Sequence, residues 1–271
     1  MSSIVIAGGI VDTEPDLHGI LADIEVRRSF IVSLVQAGKN SDQTVSGLSW
    51  TVGELGAHLG ATADNYATMA EGEVVMTESV SERRTVIDRG IALHVAASAV
   101  QQANLVEEGV DRLVTALRLR TDDERLPYYG MHVPPSLIAG MCLNELVVHG
   151  VDLARTHGRP VEVPDHAAYQ SLLASCALSS FALTPWGRAR SMVLGYGARG
   201  HAPIIIALDR GDVTVSHRTD HKVDAWFRGS AADLLLASYH RISALRSLRT
   251  LRLRGRRPYL ALTVDKAFDT A

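Results

Sequence analysis

Residues 137–154 have the sequence LIAGMCLNELVVHGVDLA. Apolar residues recur along this stretch at spacings of three and four, which is the period of a helix with one buried face. Ser136 fits the N-cap position before the stretch, and Gly158 and Pro160 follow it as residues that commonly end helices. We therefore predict a long core helix from Leu137 to His157.

Three ionisable residues interrupt the apolar pattern of this helix: Glu145, His149 and Asp152. At about 100° per residue they fall on one stripe of the helix surface. A Glu and a His one turn apart can bind the same divalent ion, and helix bundles commonly build metal sites in this way. The pattern alone is weak, and the alternative is a solvent-exposed stripe on which Glu145 pairs with His149. Asp152 would then pair with Arg155.

Similar periodicity predicts further long helices earlier in the chain. With the helix above, we place them at Asp16–Ala37, Thr51–Ala70, Ile87–Leu119 and Leu137–His157. Four long amphipathic helices favour a bundle. A further helical stretch, Asp165–Leu183, either packs on the bundle or leads out of it.

The second predicted helix begins with Thr51-Val52-Gly53-Glu54, which fits a capping box. It carries His58 between Leu55 and Leu59, where an isolated histidine is ordinarily a core residue with satisfied hydrogen bonds. With a Glu and a second His, it would complete a three-ligand set that leaves a fourth position open, as in catalytic zinc sites. Periodicity alone does not bring His58 to the fourth helix.

The sequence changes character near Thr184, where the helical pattern ends. Short β-like runs follow at Met192–Tyr196, Pro203–Leu208, Val213–His217 and Val223–Phe227. Ser230 fits the cap of a helix that continues to Tyr239. We therefore predict two domains: residues 1–184 as a helical bundle with the metal site, and residues 185–271 as a smaller α+β domain.

Composition disfavours several classes of function. Of the 271 residues, 46% are hydrophobic, and the net charge of −3 provides no overall attraction to nucleic acid. The apolar runs are shorter than the roughly 20 residues of a membrane helix. The two cysteines, Cys142 and Cys176, cannot build a disulfide scaffold, which favours a reducing, cytoplasmic setting. We expect a small-molecule substrate, no nucleic acid or membrane partner, and a monomer or small homo-oligomer.

Residues 241–257 contain seven arginines and no acidic residue. Because leucines are interspersed among them, we interpret the segment as a half-buried helix and strand with a solvated basic face. The alternatives are a site for a substrate carboxylate and, less favoured, a site for a nucleic-acid backbone.

Two motifs resemble signatures of a known family. Residues 50–59, WTVGELGAHL, resemble the Trp-Thr-Val-x-Asp/Glu-Leu-x-x-His-Leu signature of the mycothiol-dependent maleylpyruvate isomerase family, which belongs to the DinB-like metalloenzyme superfamily. Residues 144–154, NELVVHGVDLA, resemble its second signature, Glu-x-x-x-His-x-x-Asp-Leu. The segment from Arg190 to Phe268 is similar to the sterol-carrier-type domain that often follows the bundle. The resemblance implies a fold of class α and α+β, with a DinB-like four-helix bundle followed by a smaller sterol-carrier-like domain.

The resemblance also implies a metal site and a cosubstrate. The family's metal ligands correspond here to His58, Glu145 and His149, which would hold Zn²⁺ or another divalent metal. Mycothiol would be the thiol cosubstrate. Asp152 would then orient a ligand or anchor the helix, as carboxylates beside metal sites often do.

The activity that the resemblance implies is attack of a thiolate on an electrophilic small molecule, by a cis–trans isomerase of the maleylpyruvate type or by a thiol S-transferase. Family isomerases also place an arginine of the C-terminal domain near the substrate, and Arg218, Arg228 and Arg241 are the candidates here. Two alternatives stay open: a non-catalytic small-molecule or lipid-binding protein with a structural metal, and a metal-dependent hydrolase. The sequence leaves the physiological substrate and the identity of the metal open.

Overall fold

The computed structural model describes residues 4–6, 9–12, 16–38, 40–75, 80–179, 181–220 and 222–268. Its contacts divide the chain into two compact units. The first comprises the described residues from Asp16 to Val163. The second comprises those from Pro164 onward together with two strands near the N-terminus, β1 (Ile4–Ile6) and β2 (Gly9–Asp12).

The first unit is a bundle of helices. Its helices are α1 (Leu17–Gln36), α2 (Val52–Ala70), α3 (Val80–His94), α4 (Ala99–Leu117) and α5 (Pro135–Thr156). α1 packs against α4 and α5, and α2 packs against α3, α4 and α5. Fully buried side chains such as Leu34, Leu55 and Leu113 form the core between them. The predicted helical bundle is thereby confirmed.

Two helix starts show how local sequence positions the bundle. Thr51 and Glu54 form the predicted capping box of α2: Glu54 N–H donates to Thr51 Oγ1 (3.2 Å), and Thr51 N–H donates to Glu54 Oε2 (2.7 Å). The box fixes where α2 begins, and therefore where His58 lies along it. α5 begins at Pro135 rather than at Leu137, because the fixed φ of proline suits the first turn of a helix.

The prediction of one continuous helix from Ile87 to Leu119 is wrong. The chain forms α3 and α4 instead, with a break between them. Ser98 caps α4 and forms a capping box with Gln101, which starts a new helix in the middle of the predicted one. A short hairpin of β3 (Leu126–Tyr128) and β4 (Met131–Val133) then leads into α5.

α5 is the apolar core helix of the bundle. Among the described residues, it is the helix whose length and composition would suit a membrane span, yet 94% of its apolar window is buried inside the protein. Asp152 has no exposed surface, and His149 is buried. The ionisable stripe of α5 therefore lies inside the protein, which excludes the solvent-exposed alternative.

The second unit is built on a sheet that has seven strands among the described residues. Besides β1 and β2, these are β5 (Ser191–Ala198), β6 (Ile204–Asp209), β7 (Asp212–Ser216), β8 (Ala225–Gly229) and β9 (Arg252–Arg254). Their order is β1-β2-β7-β6-β5-β8-β9, with parallel pairing of β2 to β7 and of β5 to β8. Leu194, Ile206 and Val215 are in register across the central strands and are buried.

Short helices complete this unit. They are α6 (Asp165–Ala177), α7 (Pro185–Arg188), α8 (Ala231–Ser238), α9 (Ala244–Thr250), a 3-10 helix (Pro258–Thr263) and α10 (Val264–Ala267). Ser230 caps α8 as predicted. The predicted fold class, a helix bundle followed by a smaller α+β region, is confirmed. The contact units divide before α6, whereas the predicted domains divide after it, at residue 184; the domain boundary itself stays a prediction.

The arginine-rich segment is more exposed than the half-buried helix and strand that we predicted. α9 has no buried residue, and all three residues of β9 are exposed. Arg256 and Arg257 are paired with the buried Asp224. Much of the positive charge of the segment therefore lies on a solvated face.

Candidate metal centre

Three side chains of the bundle meet at one point. His58 comes from α2, and Glu145 and His149 come from successive turns of α5. Glu145 is 87 residues beyond His58 in the sequence. The Nε2 atoms of His58 and His149 each lie 3.3 Å from Glu145 Oε2. One ligand atom of each residue lies within 4.8 Å of the other two. The structure thus brings together the three residues predicted as metal ligands.

The cluster is largely withdrawn from solvent. The exposed fraction of the side chain is 5% for His58, 14% for Glu145 and 11% for His149. The ring of Trp50 lies against the histidines, with centroid distances of 4.9 Å to His58 and 6.3 Å to His149. A carboxylate buried between two imidazoles needs a shared proton or a cation to be stable there.

The ring of His149 is oriented by Asp152. Its Nδ1 lies 3.0 Å from Asp152 Oδ2. A carboxylate only accepts hydrogen bonds, so Nδ1 carries a proton, and Nε2 is the nitrogen that faces Glu145 and would bind a metal ion. His58 has a weaker counterpart, because its Nδ1 lies 3.4 Å from the hydroxyl of Thr62, one turn along α2. Partners of this kind commonly orient metal-ligating histidines.

The pKa values show which of these groups carry charge in the absence of a metal ion. Burial alone would lower the pKa of His149, but its hydrogen bonds with Asp152 and Glu145 raise that pKa to about 9. Burial lowers the pKa of His58 in spite of the nearby Glu145. Burial would raise the pKa of Glu145, but the hydrogen bonds with both histidines hold it well below its usual range. The metal-free cluster therefore contains a carboxylate and one imidazolium.

The donor set fits a divalent ion such as zinc. Zinc binds imidazole nitrogen and carboxylate oxygen at about 2.0–2.2 Å, and a tetrahedral arrangement then places neighbouring donor atoms about 3.3–3.5 Å apart. Both Nε2–Oε2 distances, from His58 and His149 to Glu145, are 3.3 Å. Two imidazoles and a carboxylate also admit iron, nickel or manganese, so the set does not choose the metal.

A fourth protein ligand is not part of the cluster among the described residues. Asp152 is engaged with Nδ1 of His149, on the side of the ring away from Glu145. Cys142 is buried, and burial raises the pKa of its thiol well above the usual range, which keeps it protonated. With a divalent ion bound, the three-ligand set would leave a coordination position for a small molecule, as in catalytic sites.

Sequence reasoning missed a second group of residues beside Glu145. Arg83 on α3 places its Nη2 3.9 Å from Glu145 Oε1, and its guanidinium carbon lies 5.6 Å from the centroid of the Tyr129 ring. Tyr66 and Tyr128 are fully buried and stack on each other, with centroids 6.2 Å apart. Nothing in the sequence around Arg83 marks it, because its neighbours are charged as on an ordinary exposed helix.

The three candidate arginines lie in the second unit. Arg218 follows β7 and is exposed. Arg228 lies on β8, with its guanidinium carbon 4.9 Å from the centroid of the Trp226 ring. Arg241 donates a hydrogen bond to the backbone carbonyl of Tyr239. Their contact with a substrate stays a prediction.

A family model covers the region of the cluster. Residues 40–154 match the model of the mycothiol maleylpyruvate isomerase N-terminal domain. This segment is similar in sequence to that domain. The resemblance of the two sequence motifs to that family is thereby confirmed, and the domain contains His58, Glu145 and His149.

Two solved structures are similar in fold to a larger part of the chain than the family model covers. Both are crystal structures of the mycothiol-dependent maleylpyruvate isomerase, one of them of a point mutant. The mutant matches with a TM-score of 0.57 at 17% identity, and the other structure with 0.56 at 18%. Each match covers 88% of this chain and 92% of the solved chain. No curated protein matches the chain in sequence.

Proposed function

We propose that this chain is a metal-dependent enzyme that uses the low-molecular-weight thiol mycothiol to act on an electrophilic small molecule. The observation that carries the proposal is the convergence of His58 Nε2, His149 Nε2 and Glu145 Oε2 inside a domain of this isomerase family. Because the two similar crystal structures are of the isomerase, cis–trans isomerisation of a maleylpyruvate-type acid is the favoured reaction. Thiol S-transfer is the second candidate.

The isomerisation that we propose conserves every atom of both reactants. The thiolate of mycothiol adds to one carbon of a cis double bond conjugated to a carbonyl, and the electron pair of that bond moves to the carbonyl oxygen as an enolate. The former double bond is now single and rotates. The electron pair then returns, expels the thiolate and forms the trans double bond. An S-transferase would instead protonate the adduct and release it.

The residues of the chain prepare this chemistry. A divalent ion held by His58, Glu145 and His149 would lower the pKa of a coordinating thiol, so that the thiol is present as thiolate. Asp152 keeps the lone pair of His149 turned toward the cluster. Glu145 contributes a single negative charge, so the site with a divalent ion stays positive and attracts a thiolate. Trp50 lies against both imidazoles.

A thiol-dependent isomerase assay on the full chain tests the proposal. Maleylpyruvate is supplied with and without mycothiol to the metal-loaded protein, to His149→Ala and to His132→Ala. We expect isomerisation that requires both thiol and metal, is lost in His149→Ala and is retained in His132→Ala, which changes an exposed histidine of β4 outside the cluster.

The other outcomes separate the alternatives. Accumulation of a thiol adduct with little isomerisation would favour S-transfer. Hydrolysis of an amide or thioester without added thiol would favour the hydrolase and contradict the proposal. Full isomerase activity in His149→Ala would also contradict it.

A further inference from the structure

Arg83 approaches the oxygen of Glu145 that the histidines do not contact. Its Nη2 lies 3.9 Å from Glu145 Oε1, whereas both Nε2 atoms of the cluster lie 3.3 Å from Oε2. The guanidinium of Arg83 therefore borders the candidate metal centre through the shared carboxylate. α3, which carries it, packs against α2, the helix of His58.

The guanidinium of Arg83 has a buried hydrogen-bond donor without an acceptor in the described part of the chain. Among the described residues, its Nε is buried without a hydrogen bond. The contact of Nη2 with Glu145, at 3.9 Å, is an ion pair that is too long for a hydrogen bond. A buried charged donor without an acceptor is costly, so the arrangement suits an anionic ligand that supplies the acceptors.

Part of the Arg83 side chain is open to solvent. Its side chain is 19% exposed, slightly more than that of Glu145. The ring of Tyr129 lies against the guanidinium, and uncharged aromatic rings provide no competing carboxylate. The planar fork of an arginine binds a carboxylate through two parallel hydrogen bonds, which orients the bound acid as well as attracting it.

We propose that Arg83 binds a carboxylate of the electrophilic substrate and holds that substrate beside the metal centre. The inference rests on the proposed function and narrows its substrate class to unsaturated acids with a free carboxylate. It assigns this role to a residue of the same compact unit as the metal ligands.

The test is calorimetric titration of succinate, an unreactive dicarboxylate, into the full chain as purified, with its metal content measured and no thiol present. The proteins compared are the wild type, Arg83→Met, Arg83→Lys and the matched control Arg84→Met. Arg84 is the next residue on α3 and is exposed, so its replacement makes the same change in net charge outside the cluster. Succinamide, the uncharged analogue, is titrated in parallel.

We expect Arg83→Met to weaken succinate binding by about 10- to 100-fold, the ordinary loss of a hydrogen bond to a charged group. Arg83→Lys should fall between it and the wild type, because it keeps the charge and loses the fork. Arg84→Met should bind as the wild type does. Metal content should be equal in all four proteins, and succinamide should not distinguish them.

Two results would overturn the inference. One is wild-type succinate affinity in Arg83→Met, and the other is loss of metal from that variant, which would show that Arg83 acts by holding Glu145. Because the titration contains no thiol, its outcome does not depend on thiol-dependent turnover. An active isomerase whose Arg83→Met variant keeps the wild-type KM for the acid would refute this inference and leave the proposed function standing.

Discussion

The imidazole of His149 lies between two carboxylates, with Asp152 at Nδ1 and Glu145 at Nε2. Asp152 accepts the hydrogen bond of Nδ1, and Glu145 Oε2 lies 3.3 Å from Nε2, as it does from Nε2 of His58. The same contacts explain why the pKa of His149 is raised to about 9 although the ring is buried. At the scale of single residues, the site is a set of three donor atoms that converge on one position, where a cation would bind.

Replacement of Asp152 tests whether this orientation matters for metal binding. We expect Asp152→Asn to weaken metal affinity by about 10- to 100-fold, because the amide can donate to Nδ1 and no longer fixes the tautomer. Competition with a chromophoric chelator measures the change. The control is Asp123→Asn, which removes one negative charge at an exposed position of the same unit. Equal affinity in Asp152→Asn and the wild type would contradict the orienting role.

The residue pattern predicted part of this site. Glu145, His149 and Asp152 share a stripe because the helical period alone places them there. His58 was assigned to the same site through the family resemblance, because periodicity does not predict which helices pack against each other. Arg83 was not predicted, because its role depends on the packing of α3 against α2, which leaves no trace in neighbouring residues.

At the scale of helices and strands, the position of His58 depends on the close packing of α2 on α4. Gly109 of α4 lies where a Cβ atom would come within 2.8 Å of Ala63 Cβ and of the backbone nitrogen of Asp64. The absence of a side chain at Gly109 therefore lets the two helices approach.

A methyl group at this contact should push α2 and α4 apart. We expect Gly109→Ala to lower the free energy of unfolding by about 1–3 kcal/mol, the usual cost of overpacking. Chemical denaturation measures it, beside Asn104→Ala at an exposed position of α4, which should change stability by a few tenths of a kcal/mol. Unchanged or increased stability of Gly109→Ala would show that the helices do not need this approach.

Asp224 connects elements of the second unit. Its carboxylate accepts hydrogen bonds from the backbone N–H of Val193 on β5 (3.0 Å) and from Arg256 (2.6 Å), and it also pairs with Arg257. Burial would raise the pKa of Asp224, but these hydrogen bonds lower it to about 2. The ionised carboxylate therefore stabilises the fold, on the order of 2 kcal/mol.

The pH dependence follows from the sign of this shift. The pKa of Asp224 is lower in the folded than in the unfolded chain, where it is about 3.9. Its contribution is therefore complete above about pH 4 and is lost as the pH falls toward 2. We expect Asp224→Asn to be less stable than the wild type at pH 7, with a difference that shrinks between pH 4 and pH 2 in denaturant titrations. A difference that is constant over this range would refute the account.

Elements with local signals were predicted more accurately than elements that depend on distant partners. The capping box of Thr51 and Glu54 located α2, and Ser230 located α8. The division between α3 and α4 was missed, because the capping box at Ser98 lies within a continuous helical pattern. The pairing of β2 with β7 was also missed, since a parallel pair of strands so far apart in the sequence has no local signature.

At the scale of the whole molecule, all the proposed metal ligands belong to one compact unit. His58, Glu145 and His149 lie within the bundle of residues 16–163, and the matched isomerase N-terminal domain includes them. The fold likeness to the isomerase crystal structures extends over 88% of the chain. The chemistry proposed for the molecule therefore depends first on whether this unit binds a metal ion.

Metal analysis of the purified full chain tests that claim most directly. The protein is prepared without chelators or metal-affinity resin, beside His58→Ala and the control His132→Ala. We predict about one divalent ion per chain in the wild type and in His132→Ala, and loss of that ion in His58→Ala. A wild-type protein without metal, or a His58→Ala variant that keeps its ion, would contradict the account.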